Sequence, residues 1–343
     1  MPVNQTNDLH RAIWEAINGK TKPVGSLGRL EALAAQIASV QQTLTPSAKR
    51  CKLTVFAADH GITEAGVSVF PQEVTRQMLG NFLAGGAAAN VLAQALGVEF
   101  AIVDAGVREP TIEHTELLSR RIGNGTQNSV ERPAMSAQQF QRALDAGTTI
   151  GGQDDHEVAC YGEMGIANTS SASLVAAKLL NLPVAQLAGR GTGLDDSGFA
   201  RKQRVLTAAA RRTPDPLEPA AAMREYGGFE TVMLTGAIMG AAASGKLVLV
   251  DGFIATVSAL AALRLMPEAR PNLVFAHRSA ETGHTIVLKA LDAEPLLDLD
   301  MRLGEGTGAL LAWPLVRAAA AMLSDMASFE SAGVSSHASP TLK

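Results

Sequence analysis

The chain has 343 residues, 47% of them hydrophobic and 18% charged, with a formal net charge of −4. That is enough chain for one large core or two domains, and so mild a charge leaves no electrostatic footprint for nucleic acid. Two cysteines, Cys51 and Cys160, are too few for a disulfide framework, so a reducing cytoplasm is the expected setting.

The N-terminal stretch MPVNQTNDLHRAIWEAINGK has no apolar core after a basic start and does not read as a signal peptide. Residues from about 5 to 20 read as helix. KLTVFAADHG (52–61) reads as a buried strand running into Asp59-His60-Gly61, and VEFAIVDAGV (98–107) repeats the form, ending near Asp104. Residues 108–155 are polar and weakly periodic, the pattern of a long functional or mobile loop region. KLVLVDGF (246–253) is a third strand, ending at Asp251 with a helical pattern after it, and PNLVFAHRSAE (271–281) is a fourth. The most apolar region, Met233 to Met266, is broken by Lys246 and Asp251, so no membrane span is expected. Residues from about 309 to 330 are Ala-rich and helical.

Strands apolar on both faces, alternating with helices, predict an α/β fold built on a parallel sheet. The strand-end residues should then share one rim, where ligands bind in such sheets. The two chain ends predict a small helical domain, residues 1–30 with 309–343, beside an α/β domain over 31–308.

Three stretches carry candidate chemistry. In ACYGEMGIANTSSASLVAAKLL (159–180), Asn168, Thr169, Ser170 and Ser171 cluster where a helix begins. Plain capping and phosphate binding explain them equally well. Glu163 in the same stretch is not explained as a cap. LAGRGTGLDDSGFARKQRVL (187–206) has the spacing G-x-G-x-G and lacks the last glycine of a dinucleotide fingerprint. Arg190 in that turn and Lys202 beyond it suit a single phosphate better than a pyrophosphate. Asp195-Asp196 does not close a hydrophobic strand, unlike the paired acids of enzymes that use phosphoribosyl pyrophosphate. QDDHE (153–157) and HRSAETGH (277–284) read as solvated charge, and no catalytic metal is expected.

The third stretch, MRLGEGTGALLAWPLVRAAAAM (301–322), sets Glu305 inside a glycine turn ahead of a helix. A carboxylate there would repel a phosphate at short range. The helix dipole would hold its pKa down. It reads as an acceptor of protons or of N–H hydrogen bonds, with flanking glycines that let something approach closely.

With these blocks assembled, the chain resembles the nicotinate-nucleotide:dimethylbenzimidazole phosphoribosyltransferases of cobalamin lower-ligand assembly. The resemblance runs in order through KPVGSLGRLE (22–31), ADHGITEAGVSVFPQEVT (58–75), PAMS (133–136), GEMGIANTSSAS (162–173), GRGTGLDD (189–196), VLVDGF (248–253), HRSAETG (277–283) and MRLGEGTGALLA (301–312). It implies a Rossmann-like parallel sheet flanked by helices, a small helical domain from both termini, and a homodimer. It also implies transfer of phosphoribose from nicotinate mononucleotide to 5,6-dimethylbenzimidazole, with no cofactor and with neither nucleic acid nor membrane as partner.

By the resemblance, Glu305 is the general base and Glu163 a second active-site carboxylate. Gly165, Asn168, Thr169, Arg190, Gly191 and Lys202 are the candidates for the phosphate and ribose. Asp59, Phe70, Met78 and Leu303 are those for the acceptor base. Phe70 and Met78 stand where some members carry Ser and Gln, which predicts an apolar slot for a flat heterocycle. Two other readings compete. A Rossmann dehydrogenase would need the full fingerprint and an acid about 20 residues on, and a base- or nucleotide-binding sensor would not need Glu305.

Overall fold

The computed structural model describes residues 3–191 and 193–335, with side chains from residue 8 onward. Residues 1–2 and 336–343 of the expected helical domain lie outside the described residues. The chain divides into two compact units, Met1–Lys49 with Trp313–Lys343, and Arg50–Ala312.

In the first unit, α1 (Val3–Asn18) and α2 (Arg29–Gln41) are in contact. They bury Ile13 and Ile17 on one helix and Leu33, Ile37 and Ala38 on the other. Lys22 and Glu31 form a buried ion pair at 2.8 Å in the same unit. The boundary expected at residue 30 therefore falls too early, because the apolar stripe of α2 is completed by α1.

The second unit carries six parallel strands: β1 (Cys51–Ala58), β2 (Glu99–Gly106), β3 (Leu117–Ser119), β4 (Val158–Met164), β5 (Leu247–Val250) and β6 (Leu273–Phe275). Their order, β3-β2-β1-β4-β5-β6, is that of doubly wound dinucleotide-binding folds, and the winding reverses between β1 and β4. The helices are α3 (Glu73–Leu83), α4 (Ala88–Leu96), α5 (Ala137–Gly152), α6 (Asn168–Leu180), α7 (Asp196–Ala210), α8 (Pro219–Tyr226), α9 (Phe229–Ala243), α10 (Phe253–Leu265) and α11 (His284–Ala290). A short parallel pair, β7 (His277–Arg278) and β8 (Leu297–Asp298), lies outside the main sheet.

Two elements depart from expectation. Strand β4 was hidden by its own chemistry, since a buried Glu163 interrupts its apolar run. Helix α5 occupies the end of the stretch read as loop. It starts at a Ser136–Gln139 capping box, yet ends in a run of glycines and threonines with poor helix propensity. Those glycines let α5 meet α9 backbone to backbone: a Cβ on Gly147 would stand 1.9 Å from the Met233 carbonyl oxygen.

The last helices are α12 (Thr307–Asp325), which begins in the second unit and ends in the first, and α13 (Phe329–Ala332). Within the first unit, Thr21 N–H donates to the Ala327 carbonyl at 3.1 Å and Ser324 Oγ to the Pro46 carbonyl at 2.6 Å, tying the two chain ends together. α12 is long and apolar enough to pass for a membrane span by length and composition alone, although Arg317 interrupts it. Its apolar stretch is 61% buried within the protein, as in a core helix. Cys51 and Cys160 are free thiols on adjacent strands with their sulfurs 3.3 Å apart, and burial pushes Cys160 well above its ordinary range.

Candidate active site

The reversal of winding places the carboxyl ends of β1 and β4 side by side, with Phe56 in register with Glu163 and Ala57 with Met164. Asp59 follows β1, Asp104 lies near the end of β2 and Asp251 follows β5, so the expected rim of strand-end acids forms. All three are buried, and they do different things. Asp104 serves the backbone, accepting the N–H groups of Gly106 and Val107 at 2.9 and 2.8 Å and Arg121 at 2.7 Å. Asp59 accepts the Arg108 N–H at 2.8 Å, while its Oδ1 has no partner among the described residues.

Glu163, on β4, is a fourth buried acid at this rim. Burial pushes its carboxyl well above the usual range, and the charges of Asp251, Glu230 and Glu305 push the same way. A hydrogen bond from Asn168 Nδ2 opposes them. Asn168 is the first residue of α6, but it supports Glu163 rather than capping the helix; the cap residue is Ala167, in a left-handed conformation. Behind Glu163, His60 Nε2 and Glu230 Oε1 are 2.7 Å apart and buried. Burial alone would lower the His60 imidazole, yet the Glu230 charge leaves it raised.

Glu305 stands across from β4 in a turn of three consecutive left-handed residues, Gly304 (φ 84), Glu305 (φ 60) and Gly306 (φ 78). The glycines there admit other parts of the protein. A Cβ on Gly304 would lie 2.4 Å from Glu163 Oε1, and one on Gly306 would lie 2.4 Å from Leu53 Cδ1. The Glu305 carboxylate does not sit on its own helix: Oε2 accepts the Ala89 N–H of α4 at 3.4 Å. Burial raises its pKa, with a further push from Asp251, and the Ala89 hydrogen bond only partly offsets this. The expectation of a depressed pKa therefore fails. Asp251, and not Glu305, answers the N-terminus of α12, accepting from Gly306 at 3.1 Å and Ala309 at 3.0 Å.

A cavity of about 100 Å³ opens between the ends of β4 and β6 and the 302–304 loop. Glu163, Gly165, Asn168, Thr169, Gly191 and Leu303 line it, together with His277, Glu281 and Arg302. Lys202 is buried behind Thr169 and donates to its Oγ1 at 3.1 Å. Burial lowers the Lys202 ammonium to about 8, against an upward pull from Glu281. Arg302 donates to the Gly191 carbonyl at 2.9 Å. The site thus offers two cations and a hydroxyl on one side, with the Glu281 carboxylate facing both cations, and the buried Glu163 carboxyl on the other. Glu305, also raised, is next to the lining residue Gly304 but does not itself line the cavity. That pairing suits a substrate with one anionic group and one proton to lose. Among the described residues, no group of three or more His, Cys, Asp or Glu side chains is arranged to hold a metal ion.

The family described as "Phosphoribosyltransferase" matches residues 3–334. A nicotinate-nucleotide–dimethylbenzimidazole phosphoribosyltransferase of Aromatoleum aromaticum is 50% identical over 333 residues, 95% of this chain and 96% of the relative. Its namesake in Cupriavidus taiwanensis is 50% identical over 335 residues, covering 97% and 96%. The crystal structure of CobT from Thermus thermophilus superposes with a TM-score of 0.92 at 40% identity, covering 96% of this chain and 99% of the other. The chain belongs to the nicotinate-nucleotide–dimethylbenzimidazole phosphoribosyltransferase family.

For this phosphoribosyltransferase the residues expected from sequence divide unevenly. Glu163, Gly165, Asn168, Thr169, Gly191 and Leu303 meet at one cavity, with Lys202 behind them. Arg190 turns away, pairing with Asp196, donating to the Leu194 carbonyl and lying 5.2 Å from the Phe199 ring. Asp59 faces a separate cleft of about 380 Å³ lined by Arg76 and Arg108. Phe70 is exposed and Met78 half-buried on α3, and neither lines the cavity that Leu303 lines.

The solvated reading of HRSAETGH fails. His277 and His284 are buried, and Glu281 lines the cavity. His284 Nδ1 accepts the Ser279 N–H at 2.8 Å, so its Nε2 carries the proton toward Thr256 Oγ1 at 2.9 Å. Burial lowers His284 to about 3, which keeps the ring neutral. In QDDHE, Gln153, Asp154 and Asp155 are exposed, as the solvated reading expects, and Asp154 also pairs with Lys246 at 2.7 Å and with His156 at 3.0 Å. Arg302, next to the Leu303-Gly304-Glu305 turn, has no local pattern in the sequence that marks it as a cavity residue.

Proposed function

We propose that the chain transfers the phosphoribosyl group of nicotinate mononucleotide to 5,6-dimethylbenzimidazole. The products are α-ribazole 5′-phosphate and nicotinate, as in cobalamin nucleotide-loop assembly. One observation carries the mechanism: Glu305 is a buried carboxylate with raised proton affinity, one long amide contact and no cation paired with it among the described residues. A carboxylate in that condition is a stronger base than one in water.

The donor's leaving group is a ring nitrogen that already carries positive charge, so it departs with the electron pair of the C–N bond and needs no acid. The acceptor attacks the anomeric carbon through the lone pair of one imidazole nitrogen. Its other nitrogen loses a proton to Glu305, so no cation accumulates on the ring. Attack from the face opposite the leaving group turns a β bond into an α bond. Holding both rings beside the ribose supplies orientation.

Lys202, Thr169 and Arg302 support the reading on the phosphate side, as two cations and a hydroxyl near one cavity. The exposed side chain of Leu303, at the rim of the same cavity, offers apolar surface to the acceptor. A homodimer and a cytoplasmic setting belong to the same reading; the two free thiols fit a reducing compartment. Sedimentation of the purified chain tests the dimer.

The deciding experiment incubates the protein with nicotinate mononucleotide and dimethylbenzimidazole and follows nicotinate release by chromatography, with Glu305→Gln in parallel. Release by the wild type and a loss of at least about a hundredfold in the variant is the expected result. No release with any of several heterocycles would sink the transferase reading.

A further inference from the structure

Glu305 is held in a backbone conformation that a residue with a Cβ does not favour, at φ 60 between two left-handed glycines. Something outside the turn must fix it there. One side chain bonded to the turn is Asp251, 54 positions earlier in the chain and one beyond the end of β5. Its side chain is buried and reaches the turn from below: Oδ2 accepts the Gly306 N–H at 3.1 Å and Oδ1 the Ala309 N–H at 3.0 Å. Gly306 is the residue next to Glu305, and Ala309 lies in the first turn of α12. His277 backs the carboxylate, with Nε2 at 3.7 Å from Oδ1, and is itself wedged against α12, where a Cβ on Gly308 would lie 1.9 Å from its ring. Asp251 does not line the cavity beside Glu163.

We propose that Asp251 is the positioning residue of this active site: it ties the Gly304–Gly306 turn to the end of β5 and so aims the Glu305 carboxylate at the acceptor. The inference rests on Glu305 being the base. Asp251 also acts through space. The groups facing Glu305 are Asp251 from the end of β5, Glu163 from β4 and the Ala89 amide of α4, while Glu230 of α9 faces Glu163 and His277 faces Asp251. Removing the Asp251 charge withdraws one of the causes that raise Glu305, so the acid limb of the rate profile should move to lower pH.

The test is Asp251→Asn, nearly equal in shape, which keeps one acceptor oxygen and loses the other along with the charge. We expect kcat to fall about 10- to 100-fold, with the KM for nicotinate mononucleotide within about threefold and the acid limb of kcat displaced downward in pH. On the Glu305→Gln background the same change should cost less than about twofold, because two residues acting through one group are not additive. Ala309→Pro deletes one of the amides donated to Asp251 and leaves every charge in place, in the first turn of α12, where a missing N–H costs the helix no bond of its own. Its kcat should fall with the pH limb unmoved. A wild-type kcat in Ala309→Pro overturns the proposal even if Asp251→Asn does not fold. So does an Asp251→Asn loss that persists in full without Glu305. Unchanged turnover in Glu305→Gln alone sinks the base assignment, and it is read separately, before either Asp251 variant.

Discussion

Gly162 on β4 lies against the backbone of Glu305: a Cβ there would stand 2.4 Å from the Glu305 carbonyl carbon and 2.5 Å from the Gly306 nitrogen. The two carboxyl-bearing segments therefore touch through a glycine, and their spacing is set by backbone alone. Gly162→Ala must push the 304–306 turn away from the sheet. We expect kcat to drop about a hundredfold, the usual effect of an ångström of misplacement. Stability should fall by about 1–3 kcal/mol, as in overpacked sites. Steady-state kinetics alongside urea unfolding checks both, and a fully active Gly162→Ala would show that the turn adapts.

Glu163 gives a prediction in which stability and activity part. Its carboxyl binds a proton more tightly in the fold than in the unfolded chain, chiefly because it is buried. Stability from such a group is complete below its unfolded pKa and is lost as pH rises through the raised folded value. At neutral pH the ionised form is a cost, so Glu163→Gln should raise stability at pH 7 to 8 by about 1–2 kcal/mol, in the range of other relieved functional sites. The gain should shrink as pH falls toward the unfolded carboxyl range, and turnover should fall throughout. Thermal unfolding of both proteins across pH reads the effect; a variant less stable at every pH would contradict it.

Lys202 is lowered to about 8 by burial. As a phosphate ligand it must be protonated, so donor binding should weaken as pH rises past about 8. Lys202→Met keeps most of the apolar stem and removes the charge. Loss of one charge-assisted hydrogen bond predicts a KM for nicotinate mononucleotide about 10- to 100-fold higher. That increase should largely vanish for the dephosphorylated riboside. Equal sensitivity to pH in wild type and variant would take Lys202 out of the phosphate site.

Much of this was legible in the sequence because parallel strands buried on both faces are written in Val, Leu, Ile and Ala. β1, β2, β5 and β6 all follow that rule, and their ends supply Asp59, Asp104 and Asp251. β4 did not show because it carries Glu163 where such a strand carries an apolar side chain, and α5 did not show because its contact with α9 needs glycine where a helix prefers alanine. The grouping of Glu163, Asn168 and Thr169 followed from sequence proximity. Arg302 and Glu281 joined them only through folding, since nothing in their local stretches says which face of the chain turns toward Gly191. The raised proton affinity of Glu305 was also invisible, because it comes chiefly from burial that only the fold supplies, with the Asp251 charge adding to it.

The two arginines separate a residue chosen by sequence from one chosen by geometry. Arg190 sits in the glycine turn but is half exposed, paired with the exposed Asp196 and lying 5.2 Å from the Phe199 ring. Exposed pairs of that kind contribute roughly 0–1 kcal/mol, so Arg190→Ala should change the donor KM by less than about threefold. Arg302 lines the cavity and holds the Gly191 carbonyl at 2.9 Å, drawing the glycine turn toward Thr169. Arg302→Ala loses a cation at the site and also releases the turn, so a KM increase of about 10- to 100-fold is expected. Arg302→Lys should recover only part of it, because an ammonium lacks the planar fork that can bond a carbonyl and an anion together. Measured side by side for nicotinate mononucleotide, the reverse ranking would mean that Arg190 swings inward when the donor binds.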